Sequence, residues 1–159
     1  MPNTRLSEQD VMQFFQSLME ASHAVHMFVE KVFFAKRDIT LHQFGVLKQL
    51  MTRGGSVSTM TELWCDHHTT KGNITGMIDR MIEAGLVSRT EDPSDRRQKK
   101  ISITKLGIKK HNQIEQDMRS HVPEFMEKIG DLPLQKLTES LMTIKQVHMS
   151  GVEKYISHK

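Results

Sequence analysis

The chain has 159 residues, 37% hydrophobic and 26% charged, with 22 Lys+Arg against 19 Asp+Glu. That is one domain's worth of protein with enough apolar residues for a core, so wholesale disorder is not expected. No apolar run reaches the ~18 residues of a membrane span, MPNTRLSEQD carries no apolar signal segment, and the lone cysteine, Cys65, excludes an intrachain disulfide and a four-cysteine zinc module and points to a reducing, cytoplasmic compartment.

Residues 7–35 read as one long helix. Ser7 with Asp10 three positions on resembles a capping box, with Asp in the place usually taken by Glu or Gln. Val11, Phe14, Phe15, Leu18, Val25, Phe28, Val29, Val32 and Phe33 recur at steps of three and four. That stripe is wider and more aromatic than a terminal helix needs for its own domain, so it either lies across the core or packs on another subunit. Thr40 and Gln43 repeat the capping pattern before a second helix with an inner face of Leu41, Phe44, Leu47, Leu50 and Met51, stopped by Gly54-Gly55. Thr59 and Glu62 cap a short helix over about 60–67, and the polar run His68-Thr69-Thr70 marks a turn. A further helix over about 70–84 turns Ile74, Met77, Ile78, Met81 and Ile82 inward, with Gly85 just past its end.

The period then drops from about 3.6 to 2. Residues 86–91 and 99–104 are strand-like, and the turn formers Asp92-Pro93-Ser94-Asp95-Arg96-Arg97 lie between them, so a β-hairpin is expected. Thr104 caps a long helix running to about Ile129, in which Pro123 is expected to make a kink or break. Gly130-Asp131-Leu132-Pro133 separates it from a last helix over about 133–156, with Leu134, Leu137, Leu141, Ile144, Val147 and Val152 on its apolar side. The fold class is mainly α with a small β-hairpin.

The positive charge is concentrated. Residues 1–65 hold six basic and six acidic side chains, 66–110 ten and six, and 111–159 six and seven, giving net charges of 0, +4 and −1. Arg96, Arg97, Lys99 and Lys100 fall within five consecutive positions of the hairpin. A local basic patch on a near-neutral chain suggests a polyanion partner; a solvated charged turn is the plain alternative. Two short helices across a tight turn, then a two-stranded ribbon, describe a winged helix-turn-helix. An α-helix fits the major groove with its N-terminal side chains against base edges. Here that helix opens with Thr70, Lys71, Gly72, Asn73 and Thr75, short hydrogen-bonding groups and one cation suited to bases or phosphates. An ordinary solvent-exposed helix would look the same. The ribbon weighs towards DNA, because its tip puts arginines on a thin projection of a shape able to enter a minor groove. Asp95, two residues before Arg97, can hold that guanidinium or fold the turn.

Residues 95–107, Asp-Arg-Arg-Gln-Lys-Lys-Ile-Ser-Ile-Thr-Lys-Leu-Gly, resemble the signature of the MarR family of bacterial transcription regulators, D-x-R, five residues, L-T-x-x-G. Asp95, Arg97, Thr104 and Gly107 fit it, and Ile103 stands where Leu is usual. Upstream, Ile39-Thr40-Leu41-His42-Gln43-Phe44-Gly45-Val46-Leu47 resembles the family's L-T-x-x-Q-F-x-V-L stretch. Residues 70–75 and 79–87 resemble its recognition helix and the entry to its wing. One departure is Leu63-Trp64-Cys65, where the family often has Leu-Ala; the bulk of Trp64 puts base contacts in doubt rather than the fold.

The resemblance covers residues 39–107 and implies a single MarR-like domain over 1–159, with a winged helix-turn-helix at 39–107 flanked by dimerisation helices at 7–35 and 108–156. It implies a homodimer on double-stranded DNA, most often a repressor, with recognition helices in successive major grooves of a pseudo-palindrome about 34 Å apart. Arg97 would enter the minor groove, oriented by Asp95, with Arg96, Lys99 and Lys100 on phosphates nearby. It also implies a small aromatic or amphipathic effector held between the dimer helices and the winged domain, where Phe44 and Met51 are the candidate contacts; ordinary core packing is the alternative for both. No cofactor or metal is expected. His23 and His26 stand three apart, His67 and His68 are adjacent, His42 and His111 meet only if the fold brings them together, and no H-x-x-x-H or Cys-His cluster occurs. Cys65 sits beside Trp64, and a small buried residue is the expected role rather than a redox sensor. G-x-S-x-G, P-loop, Rossmann and H-E-x-x-H patterns are absent, so an enzyme is not expected. The competing function is a winged-helix protein–protein module whose basic tip docks an acidic partner.

Overall fold

The structure is a computed structural model, and it describes residues 7–53, 58–59, 62–63, 71–91 and 99–156, without the side chains of 58, 71 and 147–156. The chain divides into two compact units, Met1–Met118 and Arg119–Lys159. The elements are α1 (Glu8–Val29) with a π-helical turn (Glu30–Phe34), α2 (Leu41–Thr52), β1 (Ser58–Thr59), α3 (Lys71–Glu83), β2 (Val87–Glu91), β3 (Lys99–Ile103), α4 (Lys105–Ile129) and α5 (Leu134–Ile156). Among the described residues no helix is long and apolar enough to cross a membrane.

The helix starts follow their caps. Ser7 Oγ accepts from the Asp10 N–H at 3.1 Å, and Asp10 Oδ2 accepts from the Ser7 N–H at 3.1 Å. Thr40 and Gln43 make the same reciprocal pair at the head of α2, at 3.2 and 2.9 Å. The Ser7 contacts, side chain first, hold the Asp10 carboxyl below the usual aspartate range. The expected helix over 7–35 exists, but its last turn is π-helical. The extra residue in that turn brings the adjacent Phe33 and Phe34 both to the core.

The core of the first unit lies between this π-helical turn, α2, α3, the sheet and the start of α4. It holds Phe33, Phe34, Phe44, Val46, Leu47, Leu50, Ile74, Ile78, Met81, Val87, Ile101 and Ile114. Val46 widens the expected inner face of α2, while Leu41 and Met51 pack at its margin. His111 of α4 is buried and stacks on Phe44 with ring centroids 5.3 Å apart. Around that contact three ion pairs tie α4 to preceding elements: Lys110 to Asp38 at 2.7 Å, Lys48 to Glu115 at 3.4 Å, and Arg37 to Asp117.

No residue of α1 is buried within the chain. Val11, Met12, Phe14, Phe15, Met19, Val25 and Met27 are all about half exposed or more. In the second unit α5 likewise exposes Leu134, Leu137, Leu141, Met142 and Ile144. The alternative in which the first helix lies across the chain's own core therefore fails over Glu8–Met27. Contiguous apolar surface of this kind marks an interaction face.

The expected hairpin forms from β2 and β3, and the short β1 joins it in the order β1-β3-β2. β1 pairs antiparallel with β3 through Ser58↔Ile101 and Thr59↔Lys100. Thr59 thus ends a strand and also caps the next helix: its hydroxyl accepts from the Glu62 N–H at 3.2 Å and Glu62 Oε2 accepts from its N–H at 2.6 Å. Pro123 does not break α4, which runs unbroken to Ile129. Proline's fixed φ is helical, and at this exposed position water can satisfy the carbonyl that loses its N–H partner. The expected breaker Gly54-Gly55, most of the helix over 60–67 with Trp64 and Cys65, and the turn at 68–70 lie outside the described residues.

Candidate nucleic-acid interface

α3 is amphipathic in the expected sense. Ile74, Met77, Ile78 and Met81 are buried, and Gly72, Asn73 and Thr75 lie exposed on its opening turns. The outer face at the N-terminal end thus carries short polar groups and helical N–H donors, which suit phosphate oxygens and base edges. Thr70 and the Lys71 side chain lie outside the described residues.

The far end of α3 is fixed by a Schellman motif. Gly85 takes φ +69°, its N–H reaches the Ile82 carbonyl at 2.9 Å, and the Leu86 N–H reaches that of Met81 at 2.9 Å. This reversal delivers the buried Leu86 and Val87 into β2. β2 and β3 pair antiparallel from Val87↔Ile103 to Glu91↔Lys99. Only Val87 of β2 is buried and the next four residues are exposed, so the ribbon leaves the core as it runs outward. This is why its sequence alternates imperfectly: only one end has a core to face.

The ribbon is tied back to α3 by Arg89, which donates to Asp79 Oδ1 at 2.7 Å. At the outer end Lys99 donates to Glu91 Oε1 at 2.6 Å. That hydrogen bond, and then the charge of Lys99, holds the Glu91 carboxyl below the usual glutamate range. Lys99, expected on a phosphate, is exposed but is engaged by this carboxylate across the ribbon. Lys100 is half-buried, opposite Thr90 of β2 and Thr59 of β1. Asp95, Arg96 and Arg97 lie outside the described residues.

The corner behind the ribbon explains two of the signature positions. The Thr104 hydroxyl donates toward the Gly85 carbonyl at 2.6 Å, with that of Leu86 at 3.1 Å, and accepts from the Gly107 N–H at 3.0 Å. It caps α4 and joins that cap to the end of α3. A Cβ on Gly107 would stand 2.2 Å from the Leu86 carbonyl oxygen. Only glycine lets α4 approach this closely.

Of the candidate effector contacts, Phe44 is buried against Phe34 and His111, and Met51 is half-buried beside the same core. His42 meets His26 edge-on at 6.3 Å and His111 meets Phe44, so the two histidines that the fold was needed to place have separate neighbours. Among the described residues no three His, Cys, Asp or Glu side chains gather as a metal site. Sequence reasoning missed β1 and the Asp79–Arg89 tie. A signal for the tie was present, since opposite charges flanked a helix–strand reversal ten residues apart, but that spacing has no fixed geometry until the reversal is known.

Residues 39–99, from the turn before α2 to the first residue of β3, match the sequence profile of the MarR family. Proteins of this family are transcription regulators, not enzymes. The chain is 28% identical over 120 residues to the HTH-type transcriptional repressor YetL of Bacillus subtilis, an alignment covering 76% of this chain and 71% of that protein. It shares its fold with AbsC, a MarR family transcriptional regulator from Streptomyces coelicolor, at a TM-score of 0.77 and 21% identity over 94% of this chain and 99% of the other. The transcriptional repressor CouR, solved bound to a 23-mer DNA duplex, superimposes with a TM-score of 0.73 at 25% identity over 89% of this chain and 99% of that one.

Proposed function

We propose that this protein is a regulator of the MarR family, a cytoplasmic homodimeric repressor that binds a pseudo-palindromic DNA operator. Each α3 lies in a major groove with Thr70, Lys71, Gly72, Asn73 and Thr75 towards bases and phosphates. The 92–98 tip reaches the adjacent minor groove with Arg97, held by Asp95, while Arg96, Lys99 and Lys100 serve phosphates. Residues 7–35 and 108–156 form the dimer, and 1–159 act as one functional domain. A small aromatic or amphipathic effector acts near Phe44 and Met51. The observation that carries the reading is the pairing of two surfaces: a polar N-terminal face on α3 tied to a projecting ribbon, and an α1 whose Val11, Phe14 and Phe15 stay exposed among the described residues. The first suits a groove, and the second calls for another copy.

Selection from a random duplex library supplies the operator, and anisotropy titration measures affinity. Arg97→Ala and Lys71→Ala are each expected to weaken binding by about tenfold, the order of one lost contact of ~1–3 kcal/mol. The salt slope of log K should fall by about one for Lys71→Ala if Lys71 holds a phosphate. Light scattering is expected to give a dimer for the wild type and a monomer for Phe14→Glu with Phe15→Glu. A folded dimer that enriches no duplex would favour the protein-docking alternative, and wild-type affinity in both cation variants would end the DNA reading.

A further inference from the structure

The exposed face of α3 continues beyond its opening residues. Gly72, Gly76 and Arg80 stand at steps of four and so form one row along the helix, with Asn73 beside it. Gly72, Asn73 and Arg80 are exposed and Gly76 is half-buried. A glycine inside a helix costs about 1 kcal/mol relative to alanine, and packing within the chain gives no reason for that cost at 76. A Cβ there would meet nothing nearer than Arg80 Nη1, at 3.9 Å. That contact locates the guanidinium. Arg80 folds back toward the start of the helix, the direction in which helical side chains lean, and its head lies over Gly76, one turn before its own Cα.

This cation is also uncommitted. Among the described residues the Arg80 guanidinium has no ion-pair partner. Asp79, its neighbour in sequence, is taken by Arg89, Lys99 of the ribbon is held by Glu91, and Lys100 is half-buried. The N-terminal part of a recognition helix is the part that reaches base edges. Arg80 is rooted in the second half of α3, which runs from Lys71 to Glu83, but its fold over Gly76 returns the guanidinium to the first half, beside Asn73. There a planar fork meets base edges rather than the phosphates at the groove's rim. The base that offers it two acceptors side by side in the major groove is guanine, through O6 and N7.

We infer that Arg80 reads a guanine in each operator half-site, and that Gly76 is its positioning residue, the gap across which the guanidinium returns to the N-terminal half of α3. The inference rests on the DNA reading of α3 and adds two residues and a base to it. Alanine at 76 would leave Arg80 Nη1 at an ordinary contact distance and so preserve the reach. Leucine would fill the space that the guanidinium occupies, without adding a charge or a hydrogen-bonding group. Leucine also favours a helix over glycine, so this variant is expected to be more stable than wild type while binding DNA less well. A loss of binding through misfolding would carry the opposite sign of stability.

Duplexes selected from a random library by the wild type and by Arg80→Ala are compared, and anisotropy titration follows on the wild-type operator. Thermal unfolding of each variant reports folding. Arg80→Ala is expected to weaken operator binding at least about fivefold, the order of one bidentate base contact, and to lose the preference for guanine at one position in each half-site. Replacing that guanine by 7-deazaguanine, which lacks the N7 acceptor, is expected to weaken wild-type binding several-fold and to leave Arg80→Ala unaffected. Arg80→Lys keeps the charge without the fork, and is expected to regain part of the affinity but not the guanine preference. Gly76→Ala is expected to bind within about twofold of wild type and Gly76→Leu at least about fivefold more weakly, whereas in the Arg80→Ala background the leucine should change nothing further. A uniform loss on all duplexes with a shallower salt slope would make Arg80 a phosphate contact and overturn the guanine assignment. Equal sensitivity of wild type and Arg80→Ala to 7-deazaguanine overturns it as well. Wild-type affinity and base preference in Arg80→Ala overturn the role of Arg80 and leave the DNA reading standing. A leucine effect that persists in the Arg80→Ala background overturns the role of Gly76. Failure of the wild type to bind any duplex refutes the DNA reading and this assignment with it.

Discussion

Alanine at Gly107 sets two effects of opposite sign against each other. In an open helical position the change from Gly stabilises by about 0.5–1 kcal/mol, because Gly loses more backbone freedom on folding. At Gly107 the added Cβ would stand 2.2 Å from the Leu86 carbonyl oxygen and 2.8 Å from Ile103 Cγ1. The nearer obstacle is backbone, held in the Schellman turn, so it cannot swing aside as a long side chain would. The start of α4 has to retreat by roughly 1 Å to reach an ordinary contact, an overpacking strain of about 1–3 kcal/mol. That retreat also stretches the bonds of the Thr104 N–H and hydroxyl to the 85–86 carbonyls, now 2.6–3.1 Å, at about 0.5–1.5 kcal/mol each. The net expectation is a loss of about 2–4 kcal/mol, after subtracting the helical gain. Chemical denaturation at fixed protein concentration measures it, and a thermal midpoint lower by roughly 5–15 °C accompanies it. Gly76→Ala is the matched control. Its Cβ meets only the end of the Arg80 side chain at 3.9 Å, so it should stabilise by about 0.5–1 kcal/mol. A Gly107→Ala protein as stable as wild type would refute the close-approach argument.

The tie between α3 and the ribbon should matter more for DNA than for folding. Asp79→Asn is expected to change stability by less than about 1 kcal/mol, since both partners are a third or more exposed. Operator affinity should fall on the order of fivefold, or ~1 kcal/mol, and exchanging the charges with Asp79→Arg and Arg89→Asp should recover part of it. An unchanged affinity in Asp79→Asn would show that the ribbon needs no such tether. The Lys110 ammonium, mainly by its hydrogen bond, holds the Asp38 carboxyl below its usual 3.8. A depressed folded pKa contributes stability that is complete above the unfolded value and disappears as pH falls through the folded one. The melting difference between wild type and Asp38→Asn should therefore be constant from pH 8 to about 5 and shrink only in more acidic buffer. A difference that grew on acidification would contradict the assignment.

Features made by neighbours three or four residues apart were legible in the sequence, because that spacing alone fixes their geometry. The Ser7–Asp10, Thr40–Gln43 and Thr59–Glu62 caps, the reversal at Gly85, and the inner face of α3 are all of this kind. Thr104 was legible locally as the cap of α4, but its bonds to the 85–86 carbonyls and the need for glycine at 107 were not, since both are contacts with a segment some twenty residues away. The apolar stripe of α1 was readable, but whether its own chain would cover it was not, because periodicity names a face and says nothing of what lies opposite. The tertiary structure decided that question by leaving Val11, Phe14 and Phe15 exposed. It also added β1 to the sheet, turned His111 inward onto Phe44, and joined Asp79 to Arg89. Each of these depends on the meeting of segments whose separation along the chain sets no distance in space, so only the packed fold could determine them.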